Sequence, residues 1–355
     1  MGRYGKYGEQ RYRQHFEVDF DFFNFNAKLI QQYCGTRRAI AFDPSYIPKS
    51  GRKTDGVGWF WSGSANQTKW GLEIGGIAVV DLDNHTALHI EAVQTIALVG
   101  ETLLEFYARI FIEKADELKK ISNVVVADAY FSKEPFVSKL MDCGLDVISR
   151  FRGDVRLRYP IQIKKTGKRG RTKTNGDEVD FNCLNNKHFS IVKENDDLRV
   201  HTAVVYAIAL KRTVRVAFVE FFKNGKKTSS NVYFSTDIEM EATEIFEIYQ
   251  TRFQIEFIYR DAKQYTSLTT CQARNKEKLD FHFNMSLTAV NVAKIVHWYS
   301  IPIQERKSFS LSDIKTINHN TLLLERFIAM FAIKPYLLKN NQNVKELLLY
   351  GTIAA

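Results

Sequence analysis

The chain has 355 residues, 45% of them apolar and 13% aromatic, so it can bury a sizeable core and is not a disordered polymer. Its formal net charge is +10, and residues 150–175 hold ten Lys or Arg against one acid, Asp154. That crowding points to a polyanionic partner, most often nucleic acid, with a plain solvated loop as the alternative.

Four scattered cysteines without a C-x-x-C pair argue against zinc-ribbon and redox-motif chemistry. No apolar run is long enough to span a bilayer, and the amino terminus has no apolar leader core, so a reduced, cytosolic protein is expected.

In chain order, residues 1–37 read as a basic amino-terminal arm in which "DFDFFNFNAKLI" is an edge segment or docking arm. "RRAIAFDPSYIP" reads as a buried strand ending at Asp43, with a turn at Pro44 and Ser45. Lys49, Arg52 and Lys53 follow and are candidate phosphate contacts. Trp59, Trp61 and Trp70 can stack on bases, although at least two of them are expected in the core. "KWGLEIGGIAVVDLDNHTALHIEAVQT" predicts two long strands joined by a turn at Asp81–Asn84. Helical periodicity marks "GETLLEFYARIFIEKADELKKI", and "NVVVADAYF" is a short apolar strand running into Asp128. A helix stopped by glycine and the strand "LDVISRF" complete a mixed α/β pattern. After the basic stretch, which includes Lys164, Lys165, Lys168, Arg169 and Arg171, residues 188–236 alternate like strands and predict a β-rich insertion. Helices dominate from about 241 onward.

One helical segment, "YQTRFQIEFIYRDAK" at 249–263, is unusual. At about 100° per residue, Tyr249, Arg252, Glu256 and Lys263 project within roughly 60° of one another. Such a face is either a solvated ion-pair ladder or one wall of an active site. Asp43 and Asp128 each follow an apolar strand, where a central sheet exposes its carboxyl end, and Glu256 can join them. Oxygen-rich sets of this kind suit Mg²⁺ or Mn²⁺, and two such ions can act on a phosphodiester. Each residue also has a plainer use: Asp43 before proline as a turn-former, and Glu256 as an ion-pair partner of Arg252 or Arg260. Asp81 and Asp83, in their hairpin turn, are read as structural.

The spacing of Tyr249, Arg252, Glu256 and Lys263 resembles the Tyr-Arg-Glu-Lys signature of a large branch of bacterial insertion-sequence DDE transposases. "AFDPSYIPKSGRKT" and "VVADAYFSKEPFVSKL" resemble that branch's first and second aspartate motifs, and the β-rich segment matches the insertion it carries. The resemblance covers roughly residues 38–300. It implies a ribonuclease H-like fold, a mixed sheet flanked by helices, with core segments 38–155 and 239–300, the insertion at 156–238 and a helical region at 301–355. It further implies that Asp43, Asp128 and Glu256 hold two divalent cations, and that Tyr249, Arg252 and Lys263 contact phosphates of double-stranded DNA. Members of the branch generally carry a helical end-recognition domain. Only 42 residues precede Asp43, so that domain is expected to be absent or replaced by the arm. The expected activity is metal-dependent cleavage at transposon ends and strand transfer, by a homodimer on DNA. Two rivals are a nuclease that cuts without joining and a catalytically idle DNA-binding derivative.

Overall fold

The computed structural model describes residues 6–160, 176–334 and 341–353. Its elements run α1 (Glu9–His15), α2 (Phe22–Tyr33), β1 (Arg38–Pro48), β2 (Gly58–Ser62), β3 (Gln67–Asp81), β4 (Thr86–Gln94), α3 (Leu103–Glu113), α4 (Ala115–Lys119), β5 (Val124–Ala127), α5 (Glu134–Asp142) and β6 (Asp146–Arg150). Then follow β7 (Leu157–Arg158), β8 (Ser190–Glu194), β9 (Leu198–Ala207), β10 (Arg212–Lys223), β11 (Lys226–Ser235), α6 (Ala242–Thr251), α7 (Gln254–Tyr265), α8 (Lys276–Lys294), α9 (Leu311–Met330) and α10 (Gln342–Leu349).

The heart of the sheet is β4-β3-β1-β5-β6, antiparallel up to β1 and parallel from β1 through β5 to β6. This is a ribonuclease H-like mixed sheet flanked by helices. Strand alternation explains how both faces are covered. On β1, Ile40 and Phe42 point into a core shared with α2, α3 and α5, whereas Ala39 and Ala41 point into one shared with α6, α7 and α8. Small side chains on the second face let α7 pack close. On the first face Phe42 meets Tyr107, Phe111 and Phe131 edge-on, each with ring centroids 5.3 Å away. Burying a phenylalanine this fully is worth about 1.5–3 kcal/mol.

The β-rich insertion is present and continuous with this sheet. Strand β11 pairs antiparallel with β6, and β10, β9 and β7 extend the same layer. Stacking of Phe151 on Phe234 (4.2 Å) fastens the junction.

Several expectations are corrected. "DFDFFNFNAKLI" is not an edge segment: Asp21 caps α2, whose Phe22, Phe23, Ala27 and Ile30 are buried. A period of 3 to 4 in those apolar residues outweighs the aromatic alternation that suggested an extended arm. Nor does β1 turn at Pro44. It continues to Pro48, paired with β3 throughout, while β5 stops at Ala127. That leaves β1 a free edge from Asp43 onward, and a free edge is where a strand tolerates proline. The strand–turn–strand over β3 and β4, by contrast, is as expected.

Among the described residues strand β4 pairs with β3 alone, so its outer edge needs another partner. Helix α8 supplies it. Asn284 accepts from Ala92 N and donates to Ala92 O (2.7 and 2.9 Å), and Asn291 does the same for His89 (2.8 and 2.7 Å). Asn26 of α2 donates to Ile90 O (2.9 Å) and accepts from Asn291 (2.9 Å).

Candidate active site

Register and parity build the site. Phe42 of β1 pairs with Ala127 of β5, so the next residues, Asp43 on β1 and Asp128 just past the end of β5, are neighbours. Both carry the parity of Ala41 and Val126, which face α6 and α7. Asp128 sits at the carboxyl end of β5, extended at φ −67° and ψ 165°, and its carbonyl accepts from the Ser149 hydroxyl (3.0 Å).

The polar stripe lies opposite, though not on one uninterrupted helix as the sequence predicts. Helix α6 ends at Thr251 and α7 begins at Gln254. Between them the backbone bonds tighten to three-residue steps, Phe253 N to Gln250 O, Ile255 N to Arg252 O and Glu256 N to Phe253 O. All dihedrals there stay right-handed, so the face survives the break.

The four stripe residues lie over the aspartate strand ends, and one of them, Tyr249, bonds an aspartate directly. Tyr249 donates to Asp128 Oδ1 (3.2 Å), Lys263 donates to Ser45 Oγ (2.9 Å), and Arg252 Nη2 lies 3.7 Å from Glu256 Oε1. Arg252 also covers the Tyr249 ring at 5.4 Å. Although buried, its Nε has no hydrogen-bond partner among the described residues. An orphaned guanidinium nitrogen next to Glu256 suits an anion. The cleft holds about 450 Å³ and is lined by Asp43, Ser45, Trp61, Glu256, Arg260 and Lys263, among others.

Electrostatics join the three acids. Burial pushes the Asp43 carboxyl up to about 7, with Glu256 and Asp128 adding to the rise and Arg252 and Lys263 opposing it. Glu256 is also raised, first by burial and then by Asp128, against Arg252. Burial lowers the Lys263 ammonium, opposed by Asp43. Tyr249 is pushed up to about 12, chiefly by burial, so it faces Asp128 as a neutral donor.

The donor chemistry, hard oxygens destabilised as anions, fits a divalent cation. Yet among the described residues no three acidic, histidine or cysteine side chains are grouped tightly enough to ligate one ion.

The remaining candidates divide. Arg52 and Lys53 are exposed on the loop after β1, and Arg52 lines a neighbouring cleft of about 1000 Å³ with Lys49, Trp59 and Trp70. Lys49 is engaged as a strut, donating to the carbonyls of Cys271 (2.7 Å) and Ala273 (2.8 Å). Lys164, Lys165, Lys168, Arg169 and Arg171 lie outside the described residues. The expectation that two of the three tryptophans are core is overturned, because Trp59 is 69% and Trp61 57% exposed. Asp81 and Asp83 are structural, as read: Asp81 accepts from Gly35 N, Asn84 and Tyr299, and Asp83 from the Thr36 and Arg37 amides.

Sequence reasoning missed Ser45, Ser149 and Tyr259. Tyr259, one turn after Glu256, is buried and donates to the Asp43 carbonyl (2.6 Å). The available signal was Gly75-Gly76 in an otherwise apolar strand. A Cβ on Gly76 would lie 2.0 Å from the Tyr259 hydroxyl, so the glycine makes room for the residue that steadies Asp43.

No helix among the described residues is long and apolar enough to cross a membrane. A search of curated proteins finds no match. A family model described as "Transposase DDE domain" matches residues 51–292, a span that includes Asp128 and Glu256 and begins after Asp43. That is about two thirds of the chain, and the chain therefore belongs to the transposase DDE domain family.

Proposed function

We propose that the chain cleaves DNA at transposon ends and joins the freed 3′-hydroxyl to target DNA, as a member of the Tyr-Arg-Glu-Lys branch. The observation that carries this reading is that Asp43, Asp128, Glu256 and Arg252 lie near enough to act on one another's charge, with no partner for the buried Arg252 Nε among the described residues. Asp43, Asp128 and Glu256 would hold two divalent cations, Mg²⁺ or Mn²⁺. When bound, such ions supply charge stabilisation and an activated oxygen nucleophile. Arg252 grips a phosphate oxygen pair, Lys263 adds a point charge, and Tyr249 keeps Asp128 oriented through its hydroxyl. Arg52 and Lys53 extend the phosphate track outward, and the basic sequence at 164–171 offers further charge for DNA. Catalysis rests on positioning and charge stabilisation, with no covalent protein–DNA bond. Synapsis of two ends calls for a homodimer on DNA, working in the cytosol.

The test is nicking and joining by the purified chain with Mn²⁺, on duplexes carrying the element's own ends, beside Glu256→Gln. Joined products that vanish in Glu256→Gln are expected. Cutting without joining in any condition would make the chain a nuclease. Salt-sensitive binding without metal-dependent cleavage would make it an idle DNA-binding derivative.

A further inference from the structure

We propose that the β2–β3 hairpin is a stacking platform for unpaired nucleotides of the strand that enters the catalytic cleft. Strand β1 ends opposite Gly71, but β3 begins at Gln67 and pairs there with β2. The hairpin thus overhangs the sheet by four residues, about 13 Å at strand rise. A turn with Asn66 at φ 50° closes it.

Trp59 and Trp61 share one face of β2, and both are more than half exposed. Leaving two indoles in water forfeits burial free energy that a ligand can recover. Neither faces open solvent at random. Trp61 lines the cleft of Asp43, Glu256 and Lys263, while Trp59 lines the neighbouring one, and Tyr46 borders both. Trp70, opposite Trp59 in the register, holds its ring edge-to-face at 5.9 Å. The platform is therefore braced and runs into the catalytic cleft.

Spacing selects the ligand. Residues two apart on a strand are about 6.6 Å apart, roughly twice the ~3.4 Å step between stacked bases of one duplex strand. A strand laying one base on each indole must be unstacked, which duplex DNA is not. Charge selects a polyanion over an apolar peptide: the residues lining the Trp59 cleft include Lys49 and Arg52 and no acid. Base–indole stacking tolerates any sequence, so the platform reads strandedness rather than bases.

This inference rests on the DNA-cleaving reading for what enters the cleft, but its test needs no cleavage. Binding of a labelled oligothymidylate and of a blunt duplex of equal length would be measured in EDTA for wild type, Trp59→Ala, Trp61→Ala, the double variant and Trp61→Phe. Tryptophan fluorescence would be followed in parallel. Expected are quenching by the single strand, a loss of single-strand affinity on the order of tenfold per alanine, and duplex affinity within about twofold of wild type. Phenylalanine at 61 should restore most of the loss. Equal losses on both DNAs, or none on either, would overturn the platform. Preferential capture of an uncharged apolar peptide would overturn it too. A wild type that binds single strands through its tryptophans but never cleaves would refute the catalytic reading alone. A cleaving enzyme whose single-strand affinity ignores both tryptophans would refute the platform alone.

Discussion

Strand β1 and its partners carry two aspartate pairs, and they are treated oppositely. At one end Asp81 and Asp83 receive backbone amides, an asparagine and a tyrosine hydroxyl, and the Arg37 and Thr36 amides hold the Asp83 carboxyl below its ordinary value. Towards the other end Asp43 and Asp128 face each other and Glu256, with Asp43 raised by burial and like charge. A carboxylate that the protein itself satisfies holds the fold together. Asp128 receives one hydroxyl, from Tyr249, and Asp43 is left partly buried beside like charge, the arrangement of a candidate functional site.

The same isosteric change should therefore have opposite effects at the two ends. Asp128→Asn is expected to cost ~10³-fold or more in DNA cleavage with a thermal midpoint equal to or above wild type. Asp81→Asn replaces one accepting carboxylate oxygen with an NH₂ that faces donors, and should cost ~2–4 kcal/mol of stability in a denaturant titration. If both variants lose stability alike, the contrast fails. Gly76→Ala is intermediate. Its methyl displaces the Tyr259 hydroxyl from the Asp43 carbonyl, so cleavage should drop ~10- to 100-fold, with ~1–3 kcal/mol lost to overpacking.

The smallest effect is in pH. Asp43 titrates near 7 when folded against 3.8 ordinarily, so between those values the native state binds more protons than the unfolded one. Stability contributed here is full below pH 4 and is lost as pH rises towards 7. A decline on the order of 1 kcal/mol over that window is expected in metal-free buffer, absent in Asp43→Asn and countered by millimolar Mg²⁺. Asp83 has the reverse sign, with stability present above its ordinary 3.8 and lost below it. A metal-free stability profile flat from pH 4 to 7 in wild type would remove this part of the comparison.

Much of the site was legible in the sequence because its signals are local: an apolar strand that ends in Asp128, and a polar stripe with helical spacing. The break at Arg252–Phe253 was not, since a few three-residue hydrogen bonds leave the side-chain period nearly intact. Asp43-Pro44 misled because a proline reads as a turn unless one knows that β5 stops short and leaves an edge. The tryptophans misled in the same way: composition says core, and only the overhang of the hairpin places Trp59 and Trp61 in the clefts. The supporting residues Ser149 and Tyr259 lie far along the chain from the carbonyls they hold, and no local pattern announces such pairs.

The asparagines on the flank of β4 have a consequence for biosynthesis. Asn284 and Asn291 are made some 190 residues after Ala92 and His89, whose amides and carbonyls they occupy. While the chain is still emerging from the ribosome, Asn26 of α2 can hold that edge at Ile90, but its Ala92 and His89 positions stay uncovered and open to pairing with a neighbouring nascent chain. Translation that stops before α8 should yield an aggregating product, even though the candidate site residues Asp43, Asp128 and Glu256 have already been made.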